Sequence, residues 1–175
     1  ASIYRIGRIM TSEIKELSEA IACKGISVRT TNNAEISHET AKLGRLWQKF
    51  YQNHAGNLPE GEDIYGIYHN YESDDLVGAF DVVAGWKVDS EQEQSDNSDN
   101  AKNGTLVSVD IPAGKYLVFS EEGRMPNTVM NAWEKAWTYF NDRSCEHVRT
   151  YNVDFEHYIG GNLEYGQVDL YIGIE

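Results

Sequence analysis

Two tryptophans 86 residues apart set the first constraint on this chain. Trp47 stands in an apolar stripe of Leu43, Leu46, Phe50 and Tyr51, and Trp133 in one of Val129, Met130, Trp137 and Phe140. Both stripes have helical spacing. Further matches follow at almost the same offset: Glu72 and Glu156 are 84 apart, Asp81 and Asp169 are 88 apart, and Gly85 and Gly173 are 88 apart. An offset that holds across a helix and then two strands is the signature of a duplicated unit. One helix and one hairpin cannot enclose a core. Two such units side by side can.

The elements around these matches are legible from pattern and punctuation. Residues 25–31 (GISVRTT) read as a strand, Asn32-Asn33 as a turn, and Ser37 as the cap of the Trp47 helix. Gly56, Asn57 and Pro59 end that helix. Residues 63–72 and 79–88 form a hairpin around a turn at 73–78. In the second half, residues 105–110 and 115–120 are strands around Pro112-Ala113-Gly114, and Pro126-Asn127 opens the Trp133 helix. Residues 149–158 (RTYNVDFEHY) and 165–174 (YGQVDLYIGI) form the closing hairpin, turning at Gly160-Gly161-Asn162. Residues 1–22 are an extension in which Thr11-Ser12-Glu13 caps a short helix bearing Ile14, Leu17 and Ile21. Residues 90–104 carry four acids and no aromatic side chain, which marks a mobile acidic loop joining the halves. The expected organisation is therefore one domain, residues 23–175, built of two repeats at 23–89 and 105–175.

The fold class that follows is α+β: duplicated β-α-β-β units with a pseudo-two-fold relation, antiparallel sheets and a helix on each half. A seam is expected between the two hairpins, on the side the helices leave open. Such a seam is concave and offers a place for a ligand.

Composition narrows the partners. Eleven Tyr and four Trp in 175 residues suit either a β-rich core or an aromatic-lined cavity. A net charge of −13 repels phosphate backbones, which argues against direct nucleic-acid binding; it either attracts cations or serves solubility, the commoner reason for such a charge. No apolar run reaches the roughly 18 residues of a membrane span. Cys23 and Cys145 are isolated, and the N-terminal stretch lacks a signal-peptide core, so a cytoplasmic location is expected. There is no G-x-S-x-G, H-E-x-x-H, C-x-x-C or phosphate loop, and the five histidines are scattered, so neither a metal nor a cofactor is expected.

The stretches GISVRTTNNAEISHETAKLGRLWQKFYQ, IYGIYHNYESD, FDVVAGWKV, IPAGKYLVFSEEG, NAWEKAWTYF, RTYNVDFEHY and VDLYIGI, in this order, resemble the AraC/Rob-type effector-binding domain. That domain also occurs alone in gyrase-inhibitory-protein-like proteins and in BmrR-like multidrug-binding regulators. The chain is similar, too, to stand-alone members encoded on integron gene cassettes. The resemblance runs from about Gly25 to the C-terminus. It implies the duplicated β-α-β-β fold and the binding of hydrophobic, often cationic, small molecules beside a buried glutamate. The family's FE-x-Y stretch matches Phe155-Glu156-His157-Tyr158. No helix-turn-helix precedes residue 24, so transcription regulation would pass through a protein partner carrying the DNA-binding function.

Glu156 is the expected anchor. A carboxylate in an aromatic strand is unfavourable unless it is exposed, paired or used, and Arg149 on the same strand is the nearest candidate for an ion pair. Tyr68, on the same face as Glu72, and Tyr158, on the face of Glu156 and Asp154, would line the site. Tyr151, Val153 and Phe155 would take the opposite face. Trp86 would close the seam. Of Trp133 and Trp137, one would reach the ligand, whereas Trp47 reads as a core residue. Two other readings stay open. One is a protein-interaction module whose acidity imitates nucleic acid toward a topoisomerase. The other is a hydrolase of reactive small molecules with Glu156 as general base and Tyr68 or Tyr158 assisting.

Overall fold

The computed structural model describes residues 12–88 and 106–175. Its strands are β1 (Ser12–Leu17), β2 (Ile21–Thr30), β3 (Ile64–His69), β4 (Phe80–Lys87), β5 (Val107–Ile111), β6 (Gly114–Arg124), β7 (Arg149–Tyr158) and β8 (Tyr165–Ile174). The helices are α1 (Asn32–Ile36), α2 (Leu43–Asn53) and α3 (Asn127–Asn141). All eight strands join one sheet in the order β1-β6-β8-β7-β3-β4-β2-β5, antiparallel throughout. The expected loop at 90–104 and residues 1–11 of the expected extension lie outside the described residues.

The duplication is written into this order. β6-β8-β7 on one side mirrors β3-β4-β2 on the other, so the pseudo-two-fold axis passes through the central β3–β7 ladder. Alternation sorts each strand between two clusters. Ile64, Tyr68, Val82, Ala84, Tyr158, Leu170 and Ile172 pack with α2 and α3 in one cluster. Tyr65, Ile67, Val83, Phe155 and Tyr171 form another on the opposite face, where the Phe155 and Tyr171 rings stack at 4.3 Å. Burial on both faces is why these strands read as apolar runs rather than polar–apolar alternations.

Four sequence expectations change. Residues 12–17 are a strand, not a capped helix: β1 pairs along its whole length with β6, about a hundred residues away, and the open edge of β6 outweighs local helical spacing. The repeated unit thus begins with a strand in both halves, and these leading strands are exchanged, since β1 pairs with β6 and β5 with β2. Ser37 does not cap the Trp47 helix. Asn32-Asn33 opens α1, whose cap is Thr31, accepting from Ala34 N–H at 2.9 Å. The Glu35 carboxylate then serves the start of α2, accepting from Lys42 N–H at 2.9 Å and Leu43 N–H at 3.2 Å. An anion there satisfies free amides and complements the helix dipole. Finally, the seam lies between the two helices on the face they cover, not on the face they leave open.

Candidate functional site: an aromatic cleft over a buried glutamate

Between α2 and α3, above the β3–β7 ladder, runs a cleft of about 1280 Å³. Glu156 is at its floor because β7 pairs with β3 in a register that sets Glu156 opposite Gly66. A β-carbon at Gly66 would lie 2.6 Å from Glu156 Oε1 and 3.0 Å from the Trp47 ring, so the absent side chain is the space the carboxylate fills. Gly66→Ala should therefore push the carboxylate out of place. The expected result is a urea midpoint lowered by the equivalent of roughly 1–3 kcal/mol, with an unchanged far-UV spectrum. An unchanged midpoint would put the carboxylate elsewhere.

Glu156 is 2% exposed and receives three hydrogen bonds, all from neutral groups. Tyr68 O–H and Trp133 Nε1–H donate to Oε2 at 2.8 and 2.7 Å, and Tyr158 O–H donates to Oε1 at 2.8 Å. No cation lies within ion-pairing distance of it among the described residues. Burial pushes its pKa above the usual 4.5, and the three hydrogen bonds work in the opposite direction. Burial, followed by the Glu156 charge, holds the Tyr68 and Tyr158 hydroxyls well above their usual range, so both remain donors.

Arg149 pairs with Asp154, not with Glu156. Arg149 Nη2 lies 2.6 Å from Asp154 Oδ2, with side-chain exposures of 6% and 0%. Asp154 also accepts from the Tyr71 hydroxyl and from Gly173 N–H. Burial works against the Arg149 charge, but the carboxylate and Tyr71 outweigh it and raise its pKa. A β-bulge between Arg149 and Asp154, with Tyr151 at φ 55°, turns the Tyr151 ring onto the guanidinium at 4.2 Å. Tyr151 thus lines the cleft and does not share the face of Val153 and Phe155.

Tyr68, Trp133, Trp137, Glu156 and Tyr158 all line the cleft. Trp137 is 37% exposed and leans on Trp133, ring centroids 5.8 Å apart. Trp86 is placed elsewhere, packed on Phe50 and His54 at 6.2 and 5.8 Å and outside the lining. Glu72 follows β3 in an exposed loop, so it is not the structural counterpart of Glu156. Trp47, read as core, is a cleft wall that meets Tyr158 edge-on at 5.3 Å. Its repeat partner Trp133 was the signal for it. Tyr71 was missed, Arg149 was expected beside Glu156 and Tyr151 on the opposite face, because the bulge that gathers the three has no mark in the sequence. No group of three His, Cys, Asp or Glu is arranged to hold a metal among the described residues.

The cleft geometry coincides with a sequence match over residues 13–174 to the family described as Cass2, integron-associated effector binding protein. The chain belongs to this family. Membership in Cass2 carries small-molecule effector binding as the class of activity. An integron cassette protein from the mobile metagenome of Vibrio cholerae, VCH_CASS2, is 38% identical, with 94% of this chain and 96% of that one covered and a TM-score of 0.77. The structure of SAV2435 bound to tetraphenylphosphonium is 18% identical over 94% of this chain and 93% of that one, with a TM-score of 0.63, and shows the shared fold. The transcriptional regulator BrlR of Pseudomonas aeruginosa is 28% identical over 141 residues, or 75% of this chain. The chain matches 46% of BrlR's length, so it spans about half of that curated relative. No helix among the described residues is long and apolar enough to cross a membrane.

Proposed function

We propose that this Cass2-family protein binds amphipathic aromatic cations in the cleft, with the Glu156 carboxylate as counter-charge. The supporting observation is that a buried carboxylate at the floor of an aromatic cleft is held by three neutral donors and no cation. These donors fix its geometry and leave its charge uncompensated. The charged residues lining the cleft are Glu35, Asp75, Glu134, Glu156 and Glu164 against Arg149 alone, and Arg149 is already paired. The field in the cleft therefore favours cations. Trp47, Trp133, Tyr68 and Tyr158 supply ring surface, and each well-placed cation–π contact adds about 0.5–2 kcal/mol. SAV2435, of the same fold, is bound to a ligand of this type.

Tetraphenylphosphonium and tetraphenylborate have the same shape and opposite charge, so they isolate the electrostatic part. Thermal-shift measurements should show stabilisation by the phosphonium and none by the borate. At a free concentration 100 times Kd the gain is about 2.7 kcal/mol. Equal stabilisation by both compounds would reduce the site to a hydrophobic one and remove Glu156 from recognition.

A further inference from the structure

The Glu156 reading leaves Arg149 without a task, yet Arg149 is among the residues that line the cleft. Only Nη2 is spoken for, by Asp154 at 2.6 Å and the Tyr71 hydroxyl at 3.1 Å. The Nε–H is buried with no acceptor, and Nη1 donates to nothing among the described residues. The ring centroids of Tyr151, Tyr71 and Trp133 lie 4.2, 5.4 and 5.9 Å from Cζ, which fixes the plane of the group. The bulge and the positive φ of Tyr151 that assemble this arrangement are unfavourable in themselves, and such features gather where a site requires them. An unpaired buried donor is likewise unfavourable until an acceptor arrives.

Charge balance indicates what the acceptor is. Arg149 and Asp154 cancel, which leaves Glu156 as the uncompensated charge at the cleft floor. A ligand with one positive charge closes the sum. If the same ligand brought a carboxylate to Arg149, one buried negative charge would remain, at a large desolvation penalty. A neutral carbonyl brings the acceptor without the charge.

We propose that Arg149 is a second recognition point, and that the preferred ligand is a monocation bearing a neutral carbonyl acceptor (amide, ester or ketone). Glu156 meets the cation and the free N–H groups of Arg149 meet the carbonyl. Trp133 spans the two, since its Nε1–H donates to Glu156 at 2.7 Å while its ring faces the guanidinium. The inference rests on the Glu156 reading above and adds a ligand class to it.

The test is calorimetric titration at neutral pH with benzyltriphenylphosphonium, its 4-carboxamide and its 4-carboxylate. The wild type should bind the carboxamide about tenfold or more tighter than the parent, as expected for a hydrogen bond to a charged donor, and the carboxylate no tighter than the parent. The readout is the carboxamide-to-parent ratio within each protein, which a general loosening of the cleft does not move. That ratio should collapse toward one in Arg149→Met/Asp154→Asn, which removes both charges together, and fall in Arg149→Lys, which keeps the charge but loses the fork. A ratio near one in the wild type, with both compounds weakened by Glu156→Gln, would overturn the Arg149 role and leave the anchor standing. A ratio that persists in both Arg149 variants would place the acceptor site elsewhere and overturn the proposal. If no compound responds to Glu156→Gln, the anchor reading falls and this inference with it.

Discussion

Glu156→Gln will raise the melting temperature of the ligand-free protein and at the same time weaken tetraphenylphosphonium binding by more than about tenfold. The two effects have one cause. The wild-type fold holds a carboxylate in a dry place with no counter-ion, and removing that charge relieves the penalty. An amide keeps most of the hydrogen bonds: its oxygen accepts from Trp133 and Tyr68, and its NH₂ donates to a Tyr158 hydroxyl that turns to accept. The gain should be on the order of 1 kcal/mol, or about 2–4 °C for a chain of this size. The pH dependence has a definite sign. The folded pKa of Glu156 lies above its unfolded value near 4.5, so folding takes up a proton between the two. The stability that protonation confers is complete below about pH 4.5 and is lost as pH rises through the raised value. The Gln variant lacks this loss, so its advantage should be absent in acid and full at neutral pH. A cationic ligand competes with the same proton, so its affinity should fall as pH drops through the window, by at most about tenfold per unit. Thermal melts and titrations at pH 4, 5, 6 and 7.5 read both trends. A Gln variant less stable than the wild type at neutral pH would mean that the three donors more than repay the buried charge.

Asp154→Ala should have a larger effect, and on the fold. It strands the Arg149 guanidinium in a buried site and deprives Tyr71 O–H and Gly173 N–H of their acceptor. Breaking one side of a buried pair costs about 3–5 kcal/mol, because an uncompensated charge remains. At about 2–4 °C per kcal/mol the melting temperature should fall by roughly 10 °C. Arg149→Met/Asp154→Asn should recover most of this, since no charge is left behind. If the single variant melts within a degree or two of the wild type, water reaches the guanidinium and the site is not dry. Glu156 and Asp154 thus sit two residues apart on one strand with opposite roles: one charge is neutralised and holds the bulge, and the other is left open.

Much of this was legible in the sequence. β7 and β8 begin and end where pattern and turn glycines place them, and the 86-residue offset of the tryptophans predicts two equivalent helices, one in each half. Glu156 stands out because a carboxylate in an aromatic strand needs a reason. What could not be read depends on partners distant in sequence. β1 is a strand only because β6 offers an edge. The location of the seam follows from which face both helices cover, and no local pattern encodes that. Tyr151 joins Arg149 only through a positive φ, for which a tyrosine gives no warning, and Trp86 is drawn under α2 by Phe50 and His54.

The exchanged leading strands bear on how the cleft can adapt. Three ladders cross from one half to the other: β1 with β6, β5 with β2, and β3 with β7. The halves are clasped at both margins and along the midline, so they cannot swing apart like the shells of a clam. A ligand must enter from the helix side, and compounds of different size must be accommodated by side chains and by the short segments above the sheet. In the proposed reading, selectivity then rests on how far Trp47, Trp133 and Trp137 can turn over a floor that stays still.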